Sequence, residues 1–204
     1  MILTSSAHNS PARIMRHLPS LCLLIILTAC SSAPSQQGYS PSPSTGYDDG
    51  IELLDALLEA EEQATNTGRK ILATGREMTL VKQEIIRGSC WDYTNAVYDR
   101  TGYPNKKTSR ETVFKGTKEK GPYADMELIQ PGDWLFYINH SYNDIEHSAI
   151  FVKWIDRDNR IGLMLSYGGE KRKEPARYLP YDLTHVYQIT RPAETGEDHL
   201  VSSH

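Results

Sequence analysis

Apolar residues recur at helical spacing over residues 49–64, where Ile51, Leu53, Leu54, Leu57 and Leu58 fall on one face. Asp48 and Asp49 suit the first turn of such a helix, and Gly68 predicts its stop. A second amphipathic stretch covers residues 71–86, with Leu72, Met78, Leu80, Val81, Ile85 and Ile86 as its apolar positions. Gly88 then breaks the pattern and Ser89 is a natural N-cap, so a third helix is predicted to begin at Cys90. Trp91, Tyr93, Ala96, Val97 and Tyr98 can line its buried face, and Gly102 ahead of Tyr103-Pro104 predicts its end.

The period changes after residue 130. Pro131-Gly132-Asp133 is a turn signal, and the unbroken apolar run from Trp134 to Ile138 reads as a buried strand. A loop over residues 139–146 leads to a second strand over 147–155. Asp156 to Asn159 makes a hairpin turn, Ile161 to Tyr167 a third strand closed by Gly168-Gly169, and residues 185–190 a possible fourth. Helices first and an antiparallel meander afterwards place the domain in the α+β class.

Arg13 and Arg16 are the only charged side chains in the first 47 residues. They precede an apolar run, Leu21 to Leu27, which is too short to span a bilayer but fits the apolar region of a secretion signal. The run ends Leu27-Thr28-Ala29-Cys30, which resembles the lipobox of bacterial lipoproteins. The resemblance implies cleavage after Ala29, lipidation of Cys30, and, with Ser31 next, an outer-membrane anchor facing the periplasm. An ordinary signal peptide cut at the same bond is the alternative, and translation starting at Met1 or at Met15 fits either. Residues 31–47, rich in Ser, Pro, Gly and Gln, read as a flexible tether between Cys30 and the folded part. The chain thus divides into a signal (1–29), a lipidated linker (30–47), a single domain (48–192) and a polar, frayed tail (193–204).

Loss of the signal removes two arginines and no acids, so the formal charge moves from −4 to −6. Such a domain offers no electrostatic attraction for nucleic acid. No phosphate-binding glycine pattern, zinc-type cysteine spacing or internal repeat is present. Of the three cysteines, Cys22 leaves with the signal and Cys30 is committed to lipid, so Cys90 is the one free thiol of the exported domain. An unpaired exported cysteine is either a reactive thiol or a small buried hydrophobe. Its position at a helix start, where free N–H groups and the helix dipole stabilise a thiolate, suits covalent catalysis.

A cysteine nucleophile needs a base. Of the seven histidines, only His140, His147 and His185 lie inside the domain. His147 is the strongest candidate, because it begins a core strand and the small Ser148 and Ala149 would let another element approach. His140 reads as a loop residue and His185 as a member of the last strand.

Gly88-Ser89-Cys90 opening a helix, then Pro131-Gly132-Asp133 with its strand, then His147-Ser148-Ala149-Ile150-Phe151-Val152 resembles the NlpC/P60 cysteine peptidases and the related CHAP amidases. The resemblance spans roughly residues 70–190. It implies a papain-like fold, Cys90 as nucleophile, His147 as base, and peptide or amide bonds of peptidoglycan stem peptides as substrate. Neither cofactor nor metal enters such chemistry. NlpC/P60 sequences carry Asp-Cys-Ser-Gly at the nucleophile, whereas this chain has Ser-Cys-Trp-Asp, and the bulky Trp91 would narrow the cleft. The polar residue that orients the histidine maps to Ser166, with Tyr167 as the other choice. Asp92 reads as an exposed first-turn acid. A non-catalytic binding module on the same fold and a Cys–His acyltransferase are the other functions compatible with these residues.

Overall fold

The computed structural model describes residues 48–193. The signal, Cys30, the linker and residues 194–204 lie outside them. Among the described residues no helix is long and apolar enough to cross a membrane.

The chain runs through helices α1 (Asp48–Gln63), α2 (Asn66–Arg76) and α3 (Cys90–Arg100), then strands β1 (Arg110–Lys115), β2 (Trp134–Asn139), β3 (Ile145–Asp156), β4 (Ile161–Ser166), β5 (Arg177–Asp182) and β6 (Val186–Pro192). The strands form one sheet in the order β1-β6-β2-β3-β4-β5, and every pairing is antiparallel. The α+β architecture anticipated from the pattern is therefore present.

Successive side chains on a strand point to opposite faces, and the sheet is buried on both. Trp134, Ile150, Val152, Leu163 and Leu165 pack with the helices, including Leu57, Ile71, Tyr93 and Val97. Leu135, Tyr137, Ala149, Phe151, Met164, Val186 and Ile189 form a second cluster with Ala124 and Ile129 on the other side. Double burial is why β2 reads as a continuous apolar run rather than an alternation.

The helical expectations need three corrections. Gly68 does not stop the first helix. That helix ends at Gln63, and Thr65 caps α2, its hydroxyl accepting the Gly68 N–H at 3.1 Å. Gly68 sits in the first turn of α2 because a Cβ there would stand 2.4 Å from the Pro131 carbonyl oxygen. Nor is residues 71–86 one helix: α2 passes into a π-helical turn, Glu77–Val81, and leaves Leu80, Val81 and Ile85 exposed. On α1, Leu57 is buried, whereas Ile51, Leu54 and Leu58 are exposed.

The Pro131-Gly132-Asp133 turn is a structural joint. Gly132 has φ +93°, and its carbonyl accepts the buried Tyr98 hydroxyl at 2.8 Å. Asp133 is 1% exposed and accepts from Arg191 Nε at 2.7 Å and from the Gln130 N–H at 2.8 Å, tying the start of β2 to the end of β6. Burial pushes its carboxyl upward while the guanidinium pulls it back, and burial dominates.

Candidate active site

Cys90 is the first residue of α3, as its sequence context predicts. The turn that presents it is built by three neighbours. Asp92 accepts both the Ser89 N–H at 2.7 Å and the Ser89 hydroxyl at 2.8 Å. These bonds hold its carboxyl below the ordinary range. Asp92 is therefore a half-buried part of the cap, not the exposed acid the sequence suggested. Gly88 adopts φ +114°, and a Cβ there would lie 2.3 Å from Asp92 Oδ2, so the position requires glycine. Trp91 is 39% exposed and turns toward Trp134, ring centroids 5.5 Å apart. It lies outside the wall of the cavity and does not narrow it.

That cavity has a volume of about 860 Å³, and its wall includes Cys90, His147 and Ser166. The three residues singled out from the sequence thus share one cavity. His147 Nε2 and Ser166 Oγ are 2.8 Å apart, and Ser166 Oγ lies 2.9 Å from the Tyr181 hydroxyl. Ser166 does accompany the imidazole. Tyr167 is committed elsewhere: its hydroxyl donates to the Ile86 carbonyl at 2.7 Å, and its ring stacks on Tyr93.

The sulfur has a different partner. The buried Ser148 hydroxyl donates to Cys90 Sγ at 3.7 Å. No hydrogen bond joins Cys90 to His147 among the described residues. Register explains the arrangement. His147 pairs with Tyr137 and Ser148 with Phe136, and consecutive residues alternate faces. Ser148 lies on the helix side with Phe136 and Ile150, where α3 packs. His147 lies with Tyr137 and Tyr181, whose ring centroids are 5.7 and 5.8 Å from its own. Its Nδ1 has no hydrogen-bond partner among the described residues. Burial above all, and then the charge of Arg172, lowers the His147 pKa to about 4, so the ring is neutral at pH 7.

Sequence reasoning missed Tyr181 and Tyr137. Tyr181 lies on β5, a strand not anticipated. The Tyr137 hydroxyl is buried without a hydrogen-bond partner beside the histidine. The remaining two domain histidines meet each other instead: His140 Nε2 is 2.7 Å from His185 Nδ1, and Asp144 holds the other nitrogen of His140 at 2.7 Å. Neither is on the cavity wall. Among the described residues no group of three or more His, Cys, Asp or Glu side chains is placed to hold a metal ion.

No family model and no curated protein sequence matches this chain.

Proposed function

We propose that the chain is a cysteine hydrolase of the NlpC/P60 type, tethered to the outer membrane through Cys30, that cleaves amide bonds in peptidoglycan stem peptides. The observation that carries the reading is the shared cavity: a free thiol at a helix start, and a neutral imidazole already hydrogen-bonded to Ser166.

The chemistry follows from the bond pattern. When His147 Nε2–H donates to Ser166 Oγ and Ser166 donates onward to Tyr181, the lone pair of the ring is on Nδ1. Nδ1 takes the thiol proton and Sγ attacks the amide carbonyl carbon. The Cys90 N–H, at the start of α3, would hold developing negative charge on the carbonyl oxygen. Collapse breaks the C–N bond, and the proton on Nδ1 goes to the departing amine. Water then hydrolyses the thioester and frees Sγ. Ser166 and Tyr181 act as positioning residues, fixing the tautomer.

The purified chain is expected to release peptides from peptidoglycan, read by mass spectrometry, and Cys90→Ala and His147→Ala each to abolish release. Full activity in both variants would sink the proposal. A second reading, a binding module on the same fold, is favoured by one observation: the sulfur is bonded to Ser148 and not to the imidazole. It predicts iodoacetamide labelling of Cys90 at a rate indifferent to His147→Ala.

A further inference from the structure

The two histidines that stand apart from the cavity wall are arranged as a pair of ligands. His140 lies in the turn between β2 and β3, and His185 immediately precedes β6. Their facing nitrogens, His140 Nε2 and His185 Nδ1, are 2.7 Å apart. Each ring is held by neighbours. The Asp144 carboxylate accepts from His140 Nδ1 at 2.7 Å, which leaves the lone pair of the neutral ring on Nε2. Asn143 and Asp144 take φ +53° and +52°, left-handed values that Asn and Asp tolerate, and the turn they make brings the carboxylate back to the ring. His185 packs against Tyr123, ring centroids 4.4 Å apart, and its carbonyl accepts from the Ile138 N–H at 3.2 Å. Thr184 Oγ1 stands 3.0 Å from the same His185 Nδ1.

A carboxylate on one nitrogen of an imidazole, with the other nitrogen aimed at a second imidazole, is how metal-bound histidines are oriented. The spacing of the pair fits a metal as well. Metal–nitrogen bonds of about 2.0–2.1 Å meeting at a right angle put the two nitrogens about 2.9 Å apart and the ring centroids about 4.5 Å apart. A tetrahedral angle would need about 3.3 Å and about 5.2 Å. The His140 and His185 centroids are 4.6 Å apart, with the ring planes at 77°. Both spacings lie nearer the right angle than the tetrahedron.

We infer that His140 and His185 form a site for one divalent transition-metal ion that favours square-planar or tetragonal coordination, with Cu(II) the best fit. Cu(II) takes nitrogen and oxygen donors in this geometry and binds them more tightly than the other first-row divalent ions. Two imidazoles make an open site. Thr184 Oγ1 and water complete it, since the His140 side chain is 34% exposed. His140 binds through Nε2 as it stands. His185 binds through Nδ1 once its ring proton sits on Nε2, so the neutral pair loses no proton. The chain on either side of His140 reaches the Cys90 cavity through Asn139 and Ser141, and a bound ion would pin that turn to the start of β6.

The test titrates Cu(II) into the full chain carrying Cys22→Ala, Cys30→Ala and Cys90→Ala, which removes sulfur as a competing ligand. The bound ion is read by electron paramagnetic resonance. One equivalent is expected, with an axial spectrum and the pulsed-resonance signature of two imidazole nitrogens. His140→Asn and His185→Asn are each expected to abolish it. Asp144→Asn leaves both ligands in place and is expected to weaken it by about tenfold or more. An equivalent that survives both histidine substitutions, a signature of one imidazole or none, or no binding at submillimolar Cu(II) would each overturn the inference and leave the pair a hydrogen bond only. Should a substitution unfold the chain, the imidazole count at the unaltered site decides alone.

Discussion

A histidine that resists protonation makes a folded protein sensitive to acid, and His147 supplies a measurable case. Its pKa is lowered to about 4 in the folded chain, against an ordinary 6.5 when exposed. Below pH 6.5 the unfolded chain takes up a proton that the folded chain refuses. Stability contributed by the neutral ring is therefore whole above pH 6.5 and falls as the pH drops toward 4. At roughly 1.4 kcal/mol for each pH unit between the two values, the full loss is about 3 kcal/mol. Partial exposure of the ring to the cavity brings this to about 2–3 kcal/mol, a large share of a typical domain's 5–15 kcal/mol. Other groups titrate in the same window, so the informative quantity is a difference. Urea unfolding of the unaltered chain and of His147→Gln is compared at pH 7, 6, 5 and 4.5. The amide cannot titrate, so the variant gains on the parent as the pH falls, by about 1–2 kcal/mol between pH 6.5 and 4.5. Parallel stability curves for the two proteins would refute the argument that burial keeps His147 neutral.

Two further effects follow from the hydrogen bonds of the structure. Arg191→Met leaves the 1%-exposed Asp133 without its cation and should cost about 3–5 kcal/mol in urea unfolding, most of it recovered when Asp133→Leu is added. Ser148→Ala removes the one hydrogen-bond donor to Cys90 Sγ among the described residues and should slow iodoacetamide labelling several-fold, with a shift in Tm of no more than a few degrees.

What was legible in the sequence tracks burial. β2, β3 and β4 lie inside the sheet, and their apolar runs announced them. The two strands that went unread, β1 and β5, are its edges, each with a single neighbour. Edge strands bury less and so carry weaker patterns. β1 offers only Val113 and Phe114 as apolar residues, and β5 contains Pro180, a residue that argues against a central strand but is tolerated at an edge. The misplaced helix stop at Gly68 has a similar cause. Glycine there answers a contact with Pro131, more than sixty positions away, and local punctuation cannot report such a contact.

In the candidate site, the sequence pointed to residues that share one cavity but not to how they are bonded. Gly88-Ser89 located Cys90 at a helix start because capping is local, and His147 and Ser166 were found to meet as the alignment of strand positions implied. The relation between Cys90 and His147 is decided by register. His147 and Ser148 are adjacent in sequence, so they must face opposite sides of β3. Only one of them can meet the sulfur from the helix side, and the structure gives that contact to the serine. Under the proposed hydrolase reading, proton transfer to Nδ1 requires the imidazole to reach the sulfur through the cavity that both residues line.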